Sequence, residues 1–141
     1  MTQTAGYSGT PLEKKLGIKN GSRVLLINEP MHYFDLFHQK PDIRLMKKSG
    51  KEKIDFIHCF CKCEAELVRA LPSLKQSMAE DGMIWISWLK KSAKIATDLT
   101  EDLVRKTALD CGLVDVKVCA VDENWSALKL VIRLKDRRSA L

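Results

Sequence analysis

The sequence predicts a small three-layer α/β fold, in which helices cover both faces of a mostly parallel sheet that ends in a C-terminal antiparallel hairpin. Two apolar runs, at 23–27 and 54–60, predict strands, and the first, which lies between turn-forming residues, is expected to be buried on both faces. Strands that alternate with helices are typical of parallel sheets. The last two predicted strands, at 113–121 and 127–134, are joined by five residues, too few for a crossover helix.

The N-terminal element is predicted to be a short helix from Pro11 to Leu16. Thr10 supplies a capping hydroxyl, and Pro11 suits the first helical position because its missing N–H would be unpaired there anyway. Glu13 completes the pattern of a capping box. Gly17 then offers the left-handed backbone that commonly ends a helix.

The middle of the chain has a weaker pattern. Residues 31–37 are rich in aromatic side chains and predict one or two helical turns, whereas residues 39–53 are polar and lysine-rich and predict no clear element. After the strand at 54–60, apolar residues at helical spacing predict a helix over 64–79. Pro72 lies inside that helix and is expected to kink or split it.

The pair Asp81–Gly82 predicts a turn that leads into a third strand at 83–88. Asp98 and Glu101 are spaced as a second capping box, and the apolar residues that follow predict a helix up to Gly112. The antiparallel hairpin completes the fold.

Size and composition predict one globular domain. The chain has 141 residues, of which 45% are apolar and 30% charged, as in ordinary globular proteins. We expect a single domain over 11–135, between a flexible N-terminal arm at 1–10 and a polar tail at 136–141. No apolar run approaches the roughly 18–20 residues that cross a bilayer, so we expect no membrane insertion.

Charge and cysteine content limit the classes of partner and the cellular compartment that we expect. The net charge is +6, which favours contact with phosphates or acidic surfaces, so the expected partner is an anionic small molecule or a protein. The basic clusters are short and lack interleaved aromatic residues, so nucleic acid is not an expected partner. An odd number of cysteines, five, in a chain large enough to fold without disulfides indicates free thiols and a cytoplasmic location.

Ligands of open α/β sheets bind where the parallel strands end, at their carboxyl edge. The polar and aromatic residues that the sequence places at or near this edge are the candidate ligand-binding residues: Asn28, Glu29, Trp88, Lys90, Lys91, Ser92, Asp122 and Trp125. The lysines and Ser92 form either an anion site or a solvated loop. Trp125 either faces the ligand or covers the core, and Asp122 either contacts the ligand or caps turn amides.

The motifs that would define a specific chemistry are missing. The turn after the first strand, Asn28-Glu29-Pro30, has no glycine, although a bare backbone is what lets a dinucleotide or S-adenosylmethionine approach closely. Cys59, Cys61 and Cys63 alternate along a strand, which places their sulfurs in a row and not around a tetrahedral metal. We therefore predict no catalytic residue, no metal and no cofactor, and we interpret His58 as a core residue.

Several motifs together resemble the bacterial domain-of-unknown-function 3052 family. They are Ala5-Gly6-Tyr7-Ser8-Gly9-Thr10-Pro11-Leu12, Gly82-Met83-Ile84-Trp85-Ile86-Ser87-Trp88 with Lys90-Lys91, Gly112-Leu113-Val114-Asp115-Val116-Lys117-Val118 and Trp125-Ser126-Ala127-Leu128-Lys129. The resemblance covers nearly the whole chain except about 31–53, and it implies a small cytoplasmic bacterial protein without assigning an activity. The element order also resembles a Rossmann-like methyltransferase sheet.

Two hypotheses of function follow. The first is a non-catalytic binding or regulatory module with a truncated Rossmann-like fold, because no phosphate loop, acid–base pair or metal set is present. The alternative is a methyltransferase-like or nucleotide-binding enzyme that acts at the carboxyl edge of the sheet. A homodimer formed through an edge strand, such as 127–134, is a further hypothesis about its partners.

Overall fold

The computed structural model describes residues 9–47 and 50–138. The helices are α1 (Leu12–Leu16), α2 (Glu64–Ser77) and α3 (Glu101–Asp110), and short 3₁₀ turns cover Tyr33–Leu36, Lys91–Ala93 and Leu134–Asp136. The strands are β1 (Arg23–Ile27), β2 (Arg44–Leu45), β3 (Ile54–Phe60), β4 (Met78–Leu89), β5 (Leu113–Ala120) and β6 (Trp125–Ile132). Residues 1–8 of the predicted arm and 139–141 of the predicted tail lie outside the described residues.

The strands form one mixed sheet in the order β2-β1-β3-β4-β6-β5. Strands β2, β1, β3 and β4 are parallel, and β6 runs antiparallel to both β4 and β5. The predicted α/β class, the mostly parallel sheet and the C-terminal antiparallel hairpin are confirmed. The strand order extends in opposite directions from the β1/β3 pair, which makes this pair the topological switch point of the sheet.

Each face of the sheet packs against its own apolar cluster. Along β3, Ile57 and Cys59 point towards α2 and α3, whereas Phe56 and Phe60 point towards α1 and the 3₁₀ turn at Tyr33–Leu36. The alternation follows from the two-residue period of a strand. Both faces are therefore covered, which confirms the three layers.

Helix α1 begins one residue later than predicted, with Pro11 and not Thr10 at its N-cap. Pro11 is the N-cap, and its carbonyl accepts from the amides of Lys14 and Lys15 at 3.1 Å. The Glu13 carboxylate reaches a different segment, where it accepts from the backbone amides of His38 at 2.9 Å and Gln39 at 2.8 Å. It therefore fastens the polar loop after the 3₁₀ turn to α1.

The second predicted capping box is displaced by two residues. Thr100, not Asp98, is the N-cap of α3, and its side-chain oxygen accepts from the amide of Leu103 at 3.2 Å. Asp98 instead accepts from the amide of Glu64 at 2.8 Å, at the first residue of α2. The cap of α2 thus comes from a distant loop, since Cys63 at its N-cap position makes no side-chain capping bond.

Two residues predicted to interrupt a helix or to form a turn, Pro72 and Gly82, instead lie inside a helix and a strand. Pro72 lies inside α2 without splitting it, because it is on the exposed side, where the carbonyl that loses its amide partner can be hydrated. Gly82 lies inside β4, at a register irregularity where Met78 pairs with Ile54 and Met83 with Phe56. A Cβ on Gly82 would lie 2.9 Å from the Ile54 carbonyl oxygen, so glycine is required by a bulge and not by a turn.

The sheet also differs from the expectation at its edges. Strand β6 lies between β4 and β5, so the prediction that 127–134 is an edge strand is wrong: β6 pairs with β4 on one side and with β5, across a link of four residues (121–124), on the other, and β5 is the edge. The polar stretch 39–53 contributes the two-residue β2 at the other edge. Within the described ranges, no helix is long and apolar enough to span a bilayer.

Candidate functional site

A cleft lies over the carboxyl ends of β1 and β3, at the switch point of the sheet. Its volume is about 330 Å³, within the range of small-molecule sites. It is lined by Asn28, Glu29, Phe60, Lys62, Glu66 and Trp125. The position follows from the topology, because the connections after β1 and β3 leave in opposite directions and open a crevice between them.

The floor of the cleft is the turn that follows β1. Asn28 has φ of 58°, in the left-handed region that Asn tolerates better than most residues. The chain can therefore turn sharply at the end of β1 without a glycine. Glu29, the next residue, is exposed and lines the cleft.

The opposite rim is the connection from β3 to α2, and it is held by hydrogen bonds on both sides. The backbone amide of Lys62 donates to Oε1 of Glu66 at 2.7 Å, and the carbonyl of Lys62 accepts from Oγ1 of Thr97 at 2.7 Å. These bonds fix the rim, and within residues 9–47 and 50–138 the other carboxylate oxygen of Glu66 and the ammonium group of Lys62 have no hydrogen-bond or ion-pair partner.

An aromatic pair forms the wall of the cleft. Phe60 and Trp125 meet edge to face, with ring centroids 5.0 Å apart. Asp122 positions Trp125, because its Oδ1 accepts from the backbone amides of Asn124 at 2.8 Å and Trp125 at 2.9 Å. Its other oxygen, Oδ2, lies 3.2 Å from Nε2 of the exposed His32. Asp122 is therefore a turn-capping residue that also ties the hairpin loop to the segment after β1.

A buried polar cluster lies behind the wall. The His58 ring stacks on Phe60 at 4.3 Å, its Nδ1 is 2.8 Å from the Tyr33 hydroxyl, and its Nε2 is 2.7 Å from the Ser87 hydroxyl. Burial lowers the pKa of His58 to about 3, so the ring is neutral. A neutral ring has one donor and one acceptor, which matches two hydroxyl partners. The interpretation of His58 as a satisfied core residue is confirmed.

The remaining candidates from the sequence lie away from this cleft. Trp88 is buried in the core on the side of α2 and α3. Lys90, Lys91 and Ser92 continue from the end of β4 into a 3₁₀ turn, and the Lys90 amide donates to the Asn124 carbonyl at 2.8 Å. The structure thus brings Asn28, Glu29 and Trp125 together and leaves the lysine loop beside the hairpin loop, outside the lining of the cleft.

Two of the three closely spaced cysteines, Cys59 and Cys61, lie side by side. The sulfurs of Cys59 and Cys61 lie 3.7 Å apart on the buried face of β3, and the hydrogen bond between the two thiols, together with burial, raises the pKa of Cys61. In the residues that the structure describes, no group of three or more His, Cys, Asp or Glu side chains is arranged to hold a metal ion.

Sequence reasoning missed three lining residues, Phe60, Lys62 and Glu66. The signal was present, because Phe60 ends a buried strand and the following segment must lie at the same edge as Asn28. The sequence analysis gave weight to the cysteines of that segment instead. His32 was also missed, since its contact with Asp122 joins residues that are 90 positions apart.

The cleft therefore combines three kinds of group. Glu29 and Glu66 are hydrogen-bond acceptors suited to hydroxyl or amino groups, and Lys62 can pair with an anion. Trp125, which is half-buried, presents an aromatic side chain suited to a flat ring, and the buried Phe60 supports it from behind. Such a set is suited to holding a mixed polar and aromatic molecule, such as a nucleoside.

Comparisons with known proteins identify the fold. No family model matches the chain, and no curated protein matches it in sequence. A putative type 11 methyltransferase from Sulfolobus solfataricus matches with a TM-score of 0.60 at 13% identity, over 86% of this chain and 89% of that one. The magnesium protoporphyrin IX methyltransferase from Synechocystis PCC 6803 with bound SAH matches with a TM-score of 0.57 at 11% identity, over 86% and 79%.

A ribosomal protein L11 methylase from Lactobacillus delbrueckii subsp. bulgaricus also matches, with a TM-score of 0.58 at 12% identity, over 86% of this chain and 75% of that one. Identities this low establish a shared fold and no more. The chain therefore has the Rossmann-like fold of these methyltransferases. The resemblance to the domain-of-unknown-function 3052 family stays a prediction.

Proposed function

We propose that this chain is a methyltransferase-like protein that binds a nucleoside-containing small molecule in the cleft over β1 and β3. The observation that carries the proposal is the coincidence of the cleft with the topological switch point, where open α/β sheets bind their ligands. Solved methyltransferases with the same fold support it. The proposal adopts the alternative hypothesis of the sequence analysis.

Each part of the cleft has a role in this proposal. Trp125 packs against the base, the buried Phe60 supports its ring, and the capping bonds from Asp122 hold the Trp125 backbone in place. The carboxylates of Glu29 and Glu66 accept hydrogen bonds from the ribose hydroxyls. A charged acceptor makes a hydrogen bond about twice as strong as a neutral one, so these contacts account for much of the affinity.

S-adenosylmethionine, the methyl donor that such a fold implies, fits only in part. The carboxylates and the aromatic wall suit its adenosine half. The turn after β1 suits its amino-acid tail poorly, because Pro30 adds a ring and removes a backbone donor where a bare glycine backbone would allow close approach. In Rossmann-like sites an acidic residue near the end of the second strand accepts a hydrogen bond from the ribose. Here strand β2 is followed by Met46 and Lys47, not by an acidic residue. When bound, the donor supplies an activated methyl group; the fit supports binding of its nucleoside part only.

A second candidate function is the non-catalytic binding or regulatory module of the sequence analysis. Pro30 favours it, together with the two-residue β2, because both reduce the part of the fold that would hold a complete cofactor. The two candidates differ in one measurable property, which is whether a nucleoside binds in the cleft at all.

Isothermal titration calorimetry with adenosine, S-adenosylmethionine and S-adenosylhomocysteine tests the proposal. We expect micromolar binding of at least one of the three. Glu29→Gln should weaken it about tenfold or more because it removes a charged hydrogen-bond acceptor, and Trp125→Leu should do the same because it removes the aromatic ring that contacts the base. Glu123→Gln, a neighbouring exposed acid outside the lining, is the matched control and should leave the affinity unchanged.

Two outcomes contradict the proposal. If none of the three compounds binds at millimolar concentration, the second candidate function is favoured. If binding occurs but is lost on the double substitution Lys90→Ala with Lys91→Ala and not on Glu29→Gln, the lysine loop and not the cleft is the ligand site.

A further inference from the structure

A second cavity lies between the end of α1 and the polar loop 38–42, and it shares no lining residue with the cleft over β1 and β3. We call it the α1 cavity. Its volume is about 410 Å³, which is enough for a small molecule. Its lining includes Glu13, Lys14, Lys19, Asn20 and Lys40.

The polar loop is held at both of its ends, which gives the α1 cavity a fixed shape. At one end the Glu13 carboxylate accepts from two backbone amides of the loop, at 2.9 and 2.8 Å. At the other end the Asp42 amide donates to Oδ1 of Asn20 at 2.8 Å, and the Asp42 carbonyl accepts from the Gly21 amide at 2.7 Å. The walls are therefore in place before a ligand arrives, which lowers the cost of binding.

The same bonds occupy the oxygen acceptors of Glu13 and Asn20. Glu13 is the one acid among the described residues of the lining, and each of its oxygens accepts from an amide. Burial alone would raise the pKa of Glu13, but the hydrogen bonds from backbone amides outweigh burial and lower the pKa. Asn20 uses its oxygen for the Asp42 amide, so its NH₂ group is left as a donor.

Three lysines, Lys14, Lys19 and Lys40, add positive charge to the lining. Within the described ranges of the chain, none of them forms an ion pair with an Asp or Glu. The ammonium group of Lys40 lies 4.4 Å from the centre of the Phe34 ring, a cation–π contact that leaves N–H groups for an anion. The one carboxylate that opposes these charges is hydrogen-bonded to the backbone, so the α1 cavity favours an anion.

We propose that the α1 cavity binds the phosphate group of a small soluble organic phosphate, at a site separate from the cleft over β1 and β3. A phosphate monoester carries about two negative charges and three acceptor oxygens at neutral pH, which matches several ammonium groups and an amide donor. Lysine binds phosphate as a point charge, whereas a planar carboxylate is best recognised by the fork of an arginine. Among the described residues of the lining there is no arginine, which favours phosphate over a carboxylate.

Isothermal titration calorimetry at low salt with inorganic pyrophosphate and with glycerol phosphate tests the proposal. We expect submillimolar binding of both compounds and no binding of glycerol. Lys14→Gln with Lys40→Gln should weaken the affinity about tenfold or more, because it removes two of the charged donors. Lys14→Arg with Lys40→Arg keeps both charges and should bind like the parent protein.

Asn20→Asp tests the cavity itself. The variant keeps an oxygen that accepts from the Asp42 amide, so the loop stays attached, but it replaces the NH₂ donor with a charged oxygen. Binding of both phosphates should be lost. Glu29→Gln, in the cleft, should leave phosphate binding unchanged, which separates this proposal from that of nucleoside binding.

Lys51→Gln with Lys135→Gln is the matched control, since it removes the same charge at two exposed positions outside the α1 cavity. The proposal is overturned if neither phosphate binds, or if the control pair weakens binding as much as Lys14→Gln with Lys40→Gln. It is also overturned if citrate, a tricarboxylate, binds as tightly as pyrophosphate, or if phosphatidic acid vesicles bind through these lysines and the small phosphates do not.

Discussion

The buried histidine behind the cleft makes the free energy of unfolding depend on pH in a way that can be calculated. Burial lowers the pKa of His58 from 6.5 in the unfolded chain to about 3 in the folded protein. As the pH falls below 6.5, the unfolded chain binds a proton that the folded protein does not. The contribution of His58 to the free energy of unfolding is therefore fully present above pH 6.5 and is lost as the pH falls towards 3.

The size of the effect follows from the two pKa values. Between about pH 7 and about pH 5, His58 alone should lower the free energy of unfolding by about 2 kcal/mol. Urea denaturation at both pH values, for the parent and for His58→Gln, measures this contribution. The variant keeps a donor and an acceptor for Tyr33 and Ser87 but does not titrate, so its free energy of unfolding should change less with pH.

The comparison between parent and variant removes the contribution of other groups. Asp55, whose pKa is lowered by hydrogen bonds from Arg23, titrates in both proteins alike. If the parent and His58→Gln lose the same free energy on acidification, His58 does not remain neutral in the folded protein and the reasoning is refuted.

Three further predictions concern stability. Gly82→Ala should lower the free energy of unfolding by about 1–3 kcal/mol, because the new Cβ would lie 2.9 Å from the Ile54 carbonyl oxygen. Urea denaturation measures this loss, and an unchanged midpoint would show that the bulge can relax. Lys129→Met should raise the melting temperature at low salt by relieving repulsion with Lys117, and a loss of stability would contradict that reasoning. Thr100→Ala should cost about 1 kcal/mol through loss of the α3 cap, whereas Thr100→Ser should be nearly neutral.

The strands and the hairpin could be predicted because their signals are local. The apolar runs at Arg23–Ile27 and Ile54–Phe60 are buried on both faces, and the strands begin and end where the runs do. The five-residue link between the last two strands excludes a crossover, so their antiparallel pairing follows from geometry. Asn28 and Glu29 could likewise be assigned to the carboxyl edge of the sheet, because they come directly after the first strand.

The features that sequence reasoning missed depend on contacts between distant residues. Glu13 has a suitable position for a capping box, but a loop 25 residues away offers its carboxylate two amides. The hydrogen bond from the Lys117 ammonium group to the Lys15 carbonyl cannot be seen along the chain either, because the two residues are 102 positions apart. The sequence predicts that Trp88 contacts a ligand, because it lies at the end of a predicted strand, yet its side chain is buried in the core.

The loop before α3 has a consequence for how the molecule opens. Its side chains cap the N-termini of two helices: Asp98 caps α2 and Thr100 caps α3. Detachment of this loop would therefore expose the first turns of both helices in one event. In a deuterium-exchange experiment the early amides of the two helices would then be labelled in step, although they are more than thirty positions apart in the chain.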